Sequence, residues 1–143
     1  MHSVTTANQL CFALYSASLK MTKVYKPLLQ GLGLTYPQYL AMIVLWEQDG
    51  ITVGDISARL LTDPGSLTPL LQRLEAEGLL RRTRGKDDEH VVRLYLTAQG
   101  ETLREKALNI PPNILAASGI SLGQSQSLQQ DLNNLRGNLH DSL

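Results

Sequence analysis

The chain has 143 residues, one domain's worth of length and enough for one good core. Its hydrophobic content of 43% and charged content of 18% are ordinary for a soluble globular protein, and nothing approaches the apolar run that a membrane span needs. Thirteen basic and thirteen acidic side chains give a formal net charge of zero, which argues against a uniformly basic nucleic-acid binder and leaves the local charge distribution to decide. One cysteine cannot form an intrachain disulfide, and MHSVTTANQL lacks the basic and apolar regions of a signal peptide, so a reducing cytoplasm is the expected compartment.

A first helix is expected from about Thr6 to Gln30, since Leu10, Leu14, Ala17, Met21, Val24 and Leu28 recur at spacings of three and four. Cys11, Tyr15, Ser18, Thr22 and Tyr25 form a second stripe beside it. Free cysteine usually behaves as a small buried hydrophobe, but a thiol beside phenol hydroxyls is also a candidate reactive thiolate. Gly31 and Gly33 end this helix. Tyr36-Pro37 opens a second, which carries Leu40, Ile43, Val44 and Trp46 and stops before Gly50. Thr52 with Asp55 three residues on resembles a capping box for a short third helix with Val53, Ile56 and Leu60 inward, ending near Leu61.

Thr62-Asp63-Pro64-Gly65-Ser66 reads as a turn, with Ser66 as the N-cap of a fourth helix that buries Leu67, Leu70, Leu71 and Leu74 and closes at Gly78. Pro69 then falls in the first turn, where its missing N–H costs nothing. The opposite face shows Thr68, Pro69, Gln72, Arg73 and Ala76 rather than the Glu and Lys of a solvated helix. Leu79 to Arg84 and Val91 to Leu96 read as a hairpin around the polar loop Gly85 to His90, with Arg81, Arg82, Arg84 and Lys86 followed by Asp87, Asp88 and Glu89. Thr97 caps a fifth helix through Leu103 and Ala107. Pro111-Pro112 should kink or break it, and a last helix carries Leu128, Leu132, Leu135 and Leu139.

This order is the layout of a winged helix-turn-helix: mainly α with a small β-hairpin wing. A helix fits the major groove, short polar side chains reach base edges, and a basic hairpin reaches the backbone or minor groove. The candidate DNA contacts are Ser66, Thr68, Pro69, Gln72 and Arg73 from the helix, with Arg84, Lys86 and His90 from the wing. Thr68 and Pro69 offer apolar contact to thymine methyls. Arg81 and Arg82 are expected to pair with Glu75 or Glu77 or to be solvated. His2 and His140 lack metal-ligand partners, so no zinc site is expected, nor any cofactor.

Nearly the whole length resembles the MarR family of bacterial winged-helix repressors and, within it, the organic-hydroperoxide sensors called OhrR. The stretches that carry the resemblance are Asn8-Gln9-Leu10-Cys11-Phe12 with Leu14-Tyr15, Tyr25-Lys26-Pro27-Leu28-Leu29, and Leu34-Thr35-Tyr36-Pro37-Gln38-Tyr39-Leu40-Ala41. Leu67-Thr68-Pro69-Leu70-Leu71, Asp88-Glu89 and Ile110-Pro111 complete it. The resemblance implies a homodimer on a palindromic operator in double-stranded DNA, with residues of about 35–97 as the winged-helix part and about 1–34 and 98–143 as the helical dimerisation part of a single domain. It implies that Cys11 is the sensing thiol, that Tyr25 and Tyr36 hold it, and that oxidation by organic hydroperoxides releases the DNA. Tyr15 lies one turn from the thiol, and Phe12 and Trp46 with the leucines are the expected lining of an apolar peroxide pocket.

Two departures from the family pattern stand out. The segment Ile114-Leu115-Ala116-Ala117-Ser118, where some members carry a second cysteine, has no thiol, so the one-cysteine mechanism is implied, with a low-molecular-weight thiol or further oxidation completing the switch. His90 stands in the wing where an arginine normally enters the minor groove. Cys11 and Tyr25 are fourteen residues apart on one helix, about 21 Å along its axis at 1.5 Å per residue, and so cannot touch within one chain. The other readings open at this point are a repressor released by a phenolic ligand, a thiol peroxidase, and a winged helix that binds a protein partner.

Overall fold

A computed structural model describes residues 4–85 and 91–143, and within them seven α-helices and one three-stranded sheet. The order is a 3-10 turn at Thr6–Asn8, α1 Leu10–Gln30, α2 Tyr36–Glu47, β1 Ile51–Thr52, α3 Val53–Leu60, α4 Pro64–Ala76, β2 Leu80–Arg84, β3 Val92–Leu96, α5 Ala98–Ala107, α6 Ile110–Ser118 and α7 Leu122–Asp141. The chain divides into two units, Met1–Leu108 and Asn109–Leu143. Lys86 and His90, expected to contact DNA, lie outside the described residues, as do Asp87, Asp88 and Glu89.

The core of the first unit is built around α2. Thr35 and Gln38 form a full capping box at its start, each side chain accepting from the other's backbone N–H at 3.3 and 3.0 Å. Beyond it Tyr39, Ala41, Met42, Val44 and Leu45 are all buried, so the helix is enclosed on most of its circumference. Trp46 donates its indole N–H to the Gly100 carbonyl at 3.0 Å, tying α2 to α5. The expected box at Thr52 and Asp55 is present at 3.1 Å in both directions. Leu61 ends α3 in the left-handed region, at φ 57°.

Three expectations need correction. The first helix is not continuous from Thr6, because Gln9 is extended (φ −105°, ψ 116°) and α1 proper starts at Leu10. The N-cap of α4 is Asp63 rather than Ser66: its carboxylate accepts from the Ser66 N–H at 2.8 Å, with Pro64 preset at the first helical position. Pro69 therefore sits inside α4, and the Gly65 carbonyl loses its usual i+4 donor. The wing is not a hairpin alone, since β1 pairs antiparallel with β3 (Ile51 opposite Leu94) to give the sheet order β1-β3-β2. The break expected near Pro111-Pro112 is present: α5 stops at Ala107, and Pro111 and Pro112 stand in the first turn of α6.

Candidate functional site

The caps of α4 decide which of its faces is available. Leu67, Leu71 and Leu74 turn inward and are buried, which leaves Ser66, Pro69, Gln72 and Arg73 exposed and Thr68 half-buried on the other side. The Ser66 hydroxyl donates to Asp63 Oδ2 at 2.9 Å and the Thr68 hydroxyl to the Pro64 carbonyl at 2.8 Å. Both hydroxyl protons are thus already used, and these residues offer a ligand lone pairs and a methyl group. Gln72 and Arg73 have no polar partner among the described residues, so the open donors of this face belong to them. The hydrogen bonds from Ser66, backbone first and then side chain, hold the Asp63 carboxyl below its ordinary range and keep the cap charged.

The basic run on β2 is divided in its roles. Arg82 reaches Glu75 on α4 at 3.2 Å, and Arg81 lies over the Tyr95 ring across the strand pair, 4.8 Å from its centre. Arg84 is exposed at the end of β2, where the strand leads into residues 86–90.

Cys11 is exposed on the first turn of α1. Tyr15, one turn on, and Phe12 are exposed with it. Near the other end of the helix, Tyr25 meets Tyr36 with ring centres 5.0 Å apart, and Tyr39 closes the group at 6.1 Å from Tyr25 and 6.4 Å from Tyr36. Burial, then the neighbouring Tyr36 and Tyr39, pushes the Tyr25 phenol up to about 12. Burial raises Tyr36, and burial followed by Tyr36 raises Tyr39. None of the three hydroxyls has a hydrogen-bond partner among the described residues. The site therefore presents three phenols that stay protonated at neutral pH and have their donors unspent. Tyr39 is not among the candidates read from the sequence, although it lies three residues after Tyr36 on one helix face, a spacing visible in the sequence.

Trp46 packs edge-on against Tyr39 at 6.5 Å, and no ring contact joins it to Phe12 among the described residues. An apolar groove of about 420 Å³ lies between α2, α3 and α4, starting at Pro37 beside Tyr36 and lined by Leu40, Leu60, Leu67 and Leu70. Among the described residues no cluster of His, Cys, Asp and Glu is placed to hold a metal ion, and no helix is long and apolar enough to cross a membrane.

The apolar stripe of α1 is open within one chain: Leu10, Met21 and Val24 are all exposed. Leu128, Leu132 and Leu139 of α7 are exposed too. Periodicity reports that a face is apolar but not which molecule covers it.

A family model described as transcriptional regulator SarA/Rot matches residues 23–107. The organic hydroperoxide resistance transcriptional regulator of Bacillus subtilis (strain 168) is 47% identical over 133 residues, covering 93% of this chain and 90% of its own. The HTH-type transcriptional regulator TtmR of Methylorubrum extorquens (strain PA1) is 43% identical over 133 residues, covering 93% of this chain and 68% of its own. The structure of reduced AbfR bound to DNA superposes with a TM-score of 0.76 at 31% identity, covering 93% of this chain and 92% of that one.

Proposed function

The chain belongs to the MarR-type winged-helix transcriptional regulators, in their one-cysteine organic hydroperoxide resistance branch, and from that premise we propose that it is a repressor released from its operator by oxidation of Cys11. It is a transcriptional regulator and not an enzyme. It binds double-stranded DNA as a homodimer in the bacterial cytoplasm, with residues of about 35–97 reading the duplex and 1–34 and 98–143 joining the subunits. Ser66, Thr68, Pro69, Gln72 and Arg73 face the major groove. Arg84, Lys86 and His90 serve the wing contact. The exposed stripes on α1 and α7 support the dimer, because a monomer would leave them in water.

The observation that carries the redox reading is the distance between thiol and phenols. The Tyr25–Tyr36 pair is formed within one chain, whereas Cys11 of that chain is about 21 Å away along α1. The phenols accordingly serve the thiol of the other subunit, and hydrogen bonds from them favour the thiolate. The thiolate attacks an organic hydroperoxide and becomes a sulfenic acid. A low-molecular-weight thiol then condenses with it to a mixed disulfide and water. The pairing across the dimer couples this change to both reading helices at once.

A gel shift on a palindromic duplex, titrated with salt and with cumene hydroperoxide, tests the proposal. The wild type should bind with steep salt dependence and dissociate on oxidation, while Cys11→Ser should bind and stay bound. Release of Cys11→Ser by peroxide would refute the sensing role. Its release by a phenolic ligand alone would replace that role with ligand control.

A further inference from the structure

Tyr39 is the most enclosed of the three phenols, at 5% exposure, whereas Tyr25 and Tyr36 are half-buried. Its ring is fixed by Tyr25, Tyr36 and the edge-on Trp46, and Trp46 is itself held by the Gly100 carbonyl. A phenol so buried normally finds a hydrogen-bond partner. This one has none among the described residues. Yet no fully buried side-chain nitrogen or oxygen among the described residues is unpaired, so the Tyr39 hydroxyl is the end of the side chain that reaches the surface. An unspent donor on a rigid aromatic floor points to an acceptor that arrives from outside the chain.

We propose that this acceptor is the departing oxygen of the hydroperoxide, and that Tyr39 is the proton donor of the sensing reaction, an assignment that rests on the redox reading above. The thiolate of Cys11 from the second subunit attacks the terminal oxygen of R–O–OH. A sulfur–oxygen bond forms as the oxygen–oxygen bond breaks. Sulfur is oxidised by two electrons to Cys–S–OH, and the peroxide is reduced. The RO⁻ fragment takes the Tyr39 proton and leaves as ROH, and water then reprotonates the phenolate. Tyr25 and Tyr36 stabilise the thiolate, while Tyr39 serves the oxygen. Burial keeps the Tyr39 phenol protonated at neutral pH, and an alkoxide is basic enough to take that proton.

The test compares Tyr39→Phe with the wild type, both as intact dimers, using two oxidants that differ in leaving group. With tert-butyl hydroperoxide the leaving alkoxide needs a proton; with peracetic acid the leaving acetate does not. Tyr39→Phe should slow Cys11 oxidation by tert-butyl hydroperoxide about 100-fold. Peracetic acid should oxidise it at close to the wild-type rate, with the pH profile of Cys11 alkylation unmoved. Equal slowing with both oxidants, or none with either, overturns the proposal. If Tyr39→Phe fails to bind DNA in its reduced form, the wild type alone decides through a series of hydroperoxides of graded leaving-group basicity. A weak dependence on that basicity supports the proton donor and a steep one refutes it. Failure of the redox reading itself is recognisable separately, as a wild-type Cys11 that reacts no faster than free cysteine with either oxidant.

Discussion

Tyr25 and Tyr36 face each other across the α1–α2 junction with ring centres 5.0 Å apart and planes tilted by 60°. Tyr25 comes from a helix whose apolar stripe is largely exposed, and Tyr36 from the first turn of the helix at the centre of the core. The capping box at Thr35 and Gln38 fixes where Tyr36 emerges, so both rings of the pair are positioned by elements of one chain.

That geometry predicts the outcome of a subunit-mixing experiment. On the proposed pairing across subunits, in a heterodimer of one Cys11→Ser chain and one Tyr25→Phe chain the remaining cysteine, on the Tyr25→Phe chain, would face the intact Tyr25 of its partner. It should react with cumene hydroperoxide at the wild-type rate. A rate equal to that of the Tyr25→Phe homodimer would place the contact within one chain and refute the argument.

The phenols also predict an alkaline transition. The folded Tyr25 phenol is pushed up to about 12 from its ordinary 10.0, so the folded state holds this proton more tightly than the unfolded chain. The corresponding stability is fully present below pH 10 and is lost as pH rises through about 12. Phenolate absorbance of the native protein should show a late step that Tyr25→Phe removes. A variant whose titration overlays the wild type would contradict the burial of this group.

Gly100→Ala tests the packing of α5. A Cβ at Gly100 would lie 2.2 Å from the Leu79 carbonyl oxygen, which is backbone and cannot swing away. Relief would require moving α5, and with it the Trp46–Gly100 hydrogen bond and the Thr97 hydroxyl on the Gly78 carbonyl at 2.6 Å. We expect a loss of about 2–3 kcal/mol in urea unfolding, although alanine is ordinarily the better helix former. An unchanged midpoint would rule out this close approach.

The DNA face yields variants with different signatures. If, as proposed, its amide reads a base edge, Gln72→Ala should cost about 1–3 kcal/mol on the cognate duplex and little on a scrambled one. Arg84→Ala should weaken both duplexes alike and reduce the salt slope by about one. In the wing, His90→Arg should tighten binding, and the wild type should bind better as pH falls from 8 towards 6. Equal affinity of both proteins across that range would remove the wing tip from the interface.

What the sequence could determine by itself was local. Thr52 with Asp55 announced a cap, the leucines of α4 announced its buried face, and helical rise alone separated Cys11 from Tyr25. These follow from hydrogen bonds and periodicities that close within a few residues. The choice between Asp63 and Ser66 as cap did not, because both side chains suit the role and only the structure shows Pro64 at the first helical position with Asp63 accepting from Ser66. Nor did β1, a two-residue strand defined only by pairing with β3 some forty positions later. Tyr25 joined Tyr36 and Tyr39 through the packing of α1 on α2, which no single-helix pattern encodes. Tertiary structure decided which apolar faces were enclosed and which were left open, because burial depends on the neighbours a chain brings together and not on the residues of one element.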